Sequence, residues 1–456
     1  MIFLPILVLH FLILSKLTFT AWPEMLSYSY LLSHGFTLYK DLVAPYTPGL
    51  IFLQTLFFNL FGFTPETLKV LAWLLIFISD LLMFLLLRKV TKSNLISGIF
   101  LTIFVLLQSF FDGNMLWFDF ASVIPLLAAL LFIFKYLEGK VNNLFWVGFF
   151  LGLAFMTKQI ALIYLPVFLI SYLFINRKLV LRQIGLVLAG FSITTFPFVI
   201  YLILQNTLID FLLWSVYYPS TFWSHFPGYV DLNTTNYRIK IISLLLLPLV
   251  FGLFNFKKLI NNKNLIFIVI FFLVSIIAIF PRFSYFHLQP PIAFLVLLIA
   301  GIFTELSSRI KKVDLVLLAI TLGLLINYLA PTQLGNNIRF YSQTDKVLAG
   351  KIKDVASEDP IWLINLSSAF YVYSGLLPSK PWVDNFGWYM EIPGVQDNIL
   401  KGFDQNPPKF IFWQQPTSGN WFDIGTYQPS KIVLYIKNHY QKVDNINSVE
   451  IWKIKN

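Results

Sequence analysis

Cysteine is absent from the 456 residues, so no disulfide framework, thiolate metal site or thiol nucleophile operates in this chain. Charge is scarce as well. Only 12% of the residues are Asp, Glu, Lys or Arg against 57% hydrophobic, a balance suited to solvation by lipid rather than by water. Several signatures of soluble enzymes are also missing: there is no phosphate-binding Walker loop, no His-Glu-x-x-His zinc motif, no Gly-x-Ser-x-Gly elbow and no Asp-x-Asp of the kind that holds a nucleotide sugar through a metal.

What fills the sequence instead is a series of apolar runs. A membrane span needs about 20 mostly apolar residues, and eleven candidates fall at 2–20, 66–87, 95–110, 117–134, 142–156, 160–175, 183–204, 241–254, 265–280, 289–304 and 313–330. With the N-terminus in the cytoplasm, the inner loops collect Arg88, Lys89, Lys92, Lys135, Lys140, Arg177, Lys178, Arg182, Lys257, Lys258, Lys263, Arg309, Lys311 and Lys312. The outer loops hold Lys40, Lys158, Arg238 and Arg282, with Lys240 near a boundary. Short loops rich in Lys and Arg stay cytoplasmic, so this asymmetry orients the chain and puts everything after residue 330 outside. The first run lacks a basic n-region and is longer than a usual signal core; it is expected to be retained. The location expected is the plasma membrane.

Residues 335–456 contain twelve basic and eleven acidic side chains. Nearly all of the net charge of +11 therefore belongs to the membrane part, where it orients the protein and meets anionic lipid headgroups; nothing recommends nucleic acid. The expected architecture is an all-α polytopic membrane domain over 1–334, with a long first outer loop at 21–65, followed by a small extracytoplasmic α/β domain over 335–456. In that last region PIWLIN, KFIFWQ and SVEIWKI read as strands, with helical patterns near 344–356, 393–403 and 429–441. In the first outer loop Glu24 opens a short helix that Gly35 ends, and Leu50 to Leu60 is too short to span and suits the interface.

An enzyme working outside has no access to cytosolic nucleotide sugars, so its activated group must come from something that crosses the bilayer, most simply a lipid-linked donor. The outer polar residues carry the candidate chemistry. Glu24 is either a carboxylate at a helix N-terminus or a general base for an acceptor hydroxyl. Lys40 and Asp41 form either a solvated turn or part of the site. Asp112 and Asp119, seven apart around Gly113 and Asn114, suit a divalent cation with oxygen ligands or a solvated loop. Lys158 and Arg282 are cations on the side where basic residues are depleted, placed either to grip a phosphate or to contact lipid headgroups. Tyr285 and His287 accompany Arg282 in PRFSYFHLQPP. His225 and His287 alone are weak metal ligands. Asp80, deep in the second run, is expected on a packing face, and Gly148 and Gly152 are expected to let another helix approach closely.

The order of several segments resembles a known family. From Glu24 through HGFTLYKDLVAPYTPG to the interfacial helix and FG, then FLGLAFMTKQIALIYLP, PRFSYFHLQPP, FYVYSGLLPSKPW and NPPKFIFWQ, the chain is similar to the GT-C glycosyltransferases, in the bacterial branch near the protein O-mannosyltransferases and lipid A aminoarabinose transferases. That resemblance implies a polyprenyl-phosphate sugar donor and an acidic catalytic residue in the first outer loop, here Glu24. Many relatives carry an Asp-Glu pair where this chain has Trp-Pro-Glu, so the first acid is missing and Asp41 is the substitute. The second-loop acid maps to Asp112, and the later basic residues to Lys158 and Arg282. The implied activity is inverting transfer to an acceptor hydroxyl on a glycolipid, a polysaccharide or a protein. The competing reading is a transporter or flippase of a lipid-linked saccharide, which would be expected to place its polar groups near the bilayer midplane.

Overall fold

The computed structural model describes residues 2–176, 180–233, 235–255, 261–416 and 426–455. Arg177, Lys178, Lys257 and Lys258, counted above among the inner-loop cations, lie outside them. Among the described residues six helices are long and apolar enough to cross a membrane: Pro65–Thr91, Asn94–Gly113, Phe118–Leu137, Leu181–Leu204, Tyr285–Glu305 and Ser308–Gln333. Five shorter apolar helices accompany them, at Phe3–Lys16, Gly49–Phe61, Asn143–Thr157, Gln159–Phe174 and Lys263–Ser275. The segment expected at the interface is thus helical over Gly49–Phe61.

Local chemistry explains where the helices begin and touch. Pro65–Thr91 opens on Thr64, whose side chain accepts from the Thr67 amide, with Pro65 in the first turn, where its missing N–H costs nothing. Gly148 and Gly152 face the helix Leu181–Leu204. A Cβ on Gly148 would lie 1.8 Å from the Val187 carbonyl oxygen, and one on Gly152 would lie 2.0 Å from Thr194 Oγ1. Only glycine allows that approach.

The first apolar run behaves differently from expectation. Its helix, α1, covers Phe3–Lys16 rather than 2–20, because residues 17–20 turn extended. The strand β1, Phe19–Thr20, pairs in parallel with β2, Ile338–Arg339. Asn114 holds this junction: its amide donates to the carbonyls of Leu17 (2.9 Å), Leu14 (3.2 Å) and Thr18 (3.3 Å). The Asn114 amide thus ties down the end of α1 and the two residues that follow it, and the Leu14 carbonyl also accepts from the Leu17 amide.

Asp80 is on a packing face, as expected, and it has a partner that the sequence reading did not single out. His10 Nδ1 lies 2.7 Å from Asp80 Oδ2, and His10 Nε2 lies 3.0 Å from Gln108 Oε1. Gln108 donates its own amide to the Gly113 carbonyl at 2.9 Å, which turns Oε1 toward the imidazole. Each of the two buried polar side chains is thereby given a hydrogen-bond partner inside the helical domain.

The C-terminal region carries an α/β unit. Its sheet runs β3-β4-β6-β5, with β3 Ile361–Ile364, β4 Phe410–Gln414, β5 Tyr440–Ile446 and β6 Val449–Ile454. β3 and β4 are parallel, and the other pairings are antiparallel. Helices Gln343–Ala356, Val395–Gln405 and Ser430–His439 fall on the three patterns read from the sequence. The edge strand β5 was missed because its central residues are exposed and polar, which leaves no apolar alternation to read. Its core is continuous with that of the first outer loop: Met25, Tyr28 and Leu31 belong to the same buried cluster as Trp362, Tyr371 and Trp382.

Candidate active site

One side of the helical domain gathers the start of Phe118–Leu137, the end of Asn143–Thr157 and the start of Tyr285–Glu305. Between them, the helix Pro23–Ser33 and the C-terminal unit lies a cavity of about 770 Å³. Glu24, Lys158, Arg282 and His287 all line it. Four residues from three separate stretches of sequence are thereby brought to one place. Aromatic side chains form much of the wall, among them Trp22, Tyr46, Trp117, Trp223, Tyr229 and Trp388.

Glu24 sits in the first turn of its helix, behind Pro23, and its Oε2 is buried with no hydrogen-bond partner among the described residues. Burial, followed by the charge of Asp384, pushes its carboxyl well above the usual range; the helix-cap contact to its own backbone works weakly the other way. Asp384 is itself raised, chiefly by burial. It comes from the SKPWVDNFGW segment of the C-terminal unit, where it is 3% exposed and its Oδ1 accepts from the Asn385 amide at 2.9 Å.

Lys158 does not act alone. Its Nζ donates to Asp119 Oδ1 at 2.6 Å, and His287 Nδ1 lies 2.9 Å from Asp119 Oδ2. Asp119 is fully buried, so it orients both side chains and offsets charge at that wall. Arg282 is the contrast. Its Nε donates to the Tyr229 carbonyl (2.8 Å) and its Nη2 to the Gly228 carbonyl (3.2 Å), while the guanidinium lies 4.7 Å from the Trp388 ring centroid and 5.1 Å from that of Tyr229. No carboxylate pairs with its side chain among the described residues, so its positive charge is held by backbone and aromatic faces and stays available to an anion.

The remaining candidates lie elsewhere. Asp41 accepts from the Thr37 amide (3.1 Å) and pairs with Lys380 (3.1 Å), fastening its loop to the C-terminal unit. Lys40 is exposed and stands near Asp210. Asp112 adopts φ 52° and bonds Gln333, while Tyr285 packs edge-on to Phe111 and Phe283. None of the four lines the cavity. Asp112 and Asp119 face different partners, and no cluster of three metal-ligating side chains occurs among the described residues.

Sequence reasoning missed Asp384 and the pairing of Asp119 with Lys158. It also missed several buried polar atoms on cavity-lining residues that have no partner among the described residues: Gln159 Oε1, Ser215 Oγ and the indole nitrogens of Trp117 and Trp223. Ser215 lies in the π-helical turn Leu213–Tyr217, a distortion frequent at functional sites. Gln159 donates to the Pro45 carbonyl at 2.7 Å and the Ser215 carbonyl at 3.3 Å, which spends its amide N–H groups and leaves its oxygen over.

Fold and cavity together define a multi-pass membrane protein with a polar site walled by loop ends and an α/β unit. Residues 45–203 match the family described as dolichyl-phosphate-mannose-protein mannosyltransferase. Comparison with curated protein sequences gives no match. Among solved structures, ArnT from Cupriavidus metallidurans in the apo state aligns over 99% of this chain and 96% of its own, with TM-score 0.62 and 11% identity. The same protein bound to undecaprenyl phosphate gives 0.60, also at 11% identity, over 99% of this chain and 97% of its own. The Archaeoglobus fulgidus oligosaccharyltransferase in the apo form gives 0.59 at 11% identity, over 90% of this chain and 69% of its own. Over residues 45–203 the chain is thus similar to that mannosyltransferase family, and over nearly its whole length it shares the fold of ArnT.

Proposed function

We propose that this protein is an inverting glycosyltransferase that moves a sugar from a polyprenyl-phosphate donor to an acceptor hydroxyl at the outer face of the plasma membrane. The observation that carries the reading is the pairing, across one aromatic cavity, of a Glu24 carboxyl oxygen and an Arg282 guanidinium that have, among the described residues, no hydrogen-bond partner and no carboxylate respectively. The first suits a proton and the second a phosphate. That a solved relative of the same fold is bound to undecaprenyl phosphate supports the choice of a lipid-linked donor.

In the proposed step the acceptor oxygen attacks the anomeric carbon from the side opposite the phosphate. Its proton passes to ionised Glu24, the bond from the anomeric carbon to the phosphate oxygen breaks, and polyprenyl phosphate leaves with the bonding pair. Phosphate is a stable leaving anion, so no general acid is required, and the extra negative charge is met by Arg282 and by Lys158 as positioned by Asp119. Fixed positive charge aimed at a developing anion lowers the barrier without reorganisation. The unpartnered indole, hydroxyl and amide atoms on the wall suit a ligand rich in hydroxyls, which both donates and accepts.

Mass spectrometry of surface glycans and glycoproteins from cells with the chain, without it, and with Glu24→Gln tests the proposal. A sugar should disappear from one acceptor class in both altered strains. Identical glycan profiles in all three would refute it.

A further inference from the structure

Glu24 meets the C-terminal unit through a defined face of its helix. Glu24, Ser27 and Tyr28 share that face by the i, i+3, i+4 spacing. Ser27 Oγ donates to Ser368 Oγ at 3.1 Å, and Ser368 in turn bonds the Asp384 carboxyl. The Tyr28 ring meets Trp382 edge-on at 6.3 Å between centroids. The strap that carries Asp384 is fastened on the same side: the Trp382 amide donates to the Asp41 carbonyl (2.8 Å), the Val43 amide to the Trp382 carbonyl (3.2 Å), and Lys380 Nζ to the Gly35 carbonyl (2.6 Å). Two residues beyond Asp384, Phe386 joins the wall of the cavity that Glu24 lines.

We propose that Glu24 and Asp384 work as one carboxyl pair holding a single proton, with Asp384 as the positioning residue that makes Glu24 a stronger base than an isolated glutamate. The inference rests on the reading of Glu24 as proton acceptor and adds the C-terminal unit to the machinery. Two carboxyls enclosed together cannot both ionise freely, so the second proton is held more tightly than the first. The other titratable groups facing Glu24 are Tyr28 on its own helix, Tyr46 on the outer loop, Tyr341 after β2 and Tyr389 beside the cavity. Burial keeps all four phenols protonated, so they leave the charge balance to the two acids; Asp119 and Arg282 lie beyond Tyr46. Asp384 takes the first negative charge, and Glu24, ionising against it, gains basicity. A base matched to neutral pH transfers protons best.

The test is the pH profile of kcat/KM for the full chain in nanodiscs, using a synthetic polyprenyl-phosphate sugar, in wild type and Asp384→Asn. Loss of the neighbouring charge should move the acid limb to lower pH by about one unit while the high-pH plateau falls several-fold. The two curves should cross. A limb that stays in place, or a uniform loss at every pH, overturns the pair and leaves Asp384 as support for the strap. Should Asp384→Asn not fold, the protonated-carboxyl infrared band gives the same answer from Glu24→Gln. Removing Glu24 should abolish the upper of two separate wild-type carboxyl steps and leave the lower one, Asp384, in place, because Asp384 already ionises beside a neutral neighbour; a single coincident wild-type step for both carboxyls, or loss of the lower step instead, overturns the pair. Retained transfer in Glu24→Gln would instead sink the base reading itself, so the two failures are told apart.

Discussion

Replacing Glu24 by Gln keeps the shape of the side chain and removes its capacity to take a proton. A general base contributes about 10²- to 10⁴-fold, or about 2.7 to 5.4 kcal/mol at ~1.36 kcal/mol per tenfold, and turnover should fall by that factor while donor affinity holds. The same substitution should stabilise the protein at neutral pH. Burial and Asp384 raise the folded pKa of Glu24 above its unfolded value of about 4.3, so between the two values the folded state binds more protons than the unfolded. Stability therefore declines as pH rises through that window and stays low above it. Gln carries no proton to lose, so its curve lacks this decline. Relief of an unpartnered buried group contributes about 1 to 3 kcal/mol, and thermal unfolding at pH 4, 6 and 8 should show a gap between variant and wild type that is small at pH 4 and widens toward pH 8. A constant gap, or a Glu24→Gln protein less stable than wild type at pH 8, would refute the argument.

Arg282→Lys should lower donor affinity roughly ten- to a hundred-fold, measured by binding of polyprenyl phosphate, because a charge-assisted fork stacked on Trp388 becomes a point charge. Asp119→Asn should destabilise the fold by about 3 kcal/mol or more in thermal unfolding, since it strips Lys158 and His287 of their shared buried partner. Ser215→Ala and Trp223→Phe remove polar atoms that have no partner among the described residues and should leave unfolding temperatures unchanged or raised. Both should weaken binding of sugar-loaded donor while sugar-free carrier binds normally, and equal effects on the two ligands would argue against contact with the sugar.

Much of the candidate cavity was legible because the expected topology leaves the loops it places outside poor in basic residues. Lys158 and Arg282 stand out against that depletion, and both line the cavity with Glu24, which its place after the first span and before a helix made conspicuous. The strands β3, β4 and β6 were legible for a similar reason, since buried strands show as short apolar runs. What escaped was pairing at long range. Asp119 lies 39 residues from Lys158 and 168 from His287, and no local spacing links them. His10 and Asp80 are 70 apart and looked like two isolated polar residues in apolar runs. Asp384 sits in a turn-rich segment whose composition reads as an ordinary surface loop, and only the strap to Asp41 carries it to Glu24. Asp41 was conspicuous for its place in the outer loop, and the structure assigns its carboxylate to that strap.

The most direct measurement of the central claim uses the purified chain in nanodiscs with a polyprenyl-phosphate sugar labelled in the sugar, a cell-envelope fraction as the source of acceptors, and nuclear magnetic resonance of the transferred residue. The account predicts that wild type, and not Glu24→Gln, moves the label onto an envelope acceptor with the opposite anomeric configuration to that in the donor. Label that stays on the lipid with wild type, or arrives on the acceptor with its configuration retained, would contradict it.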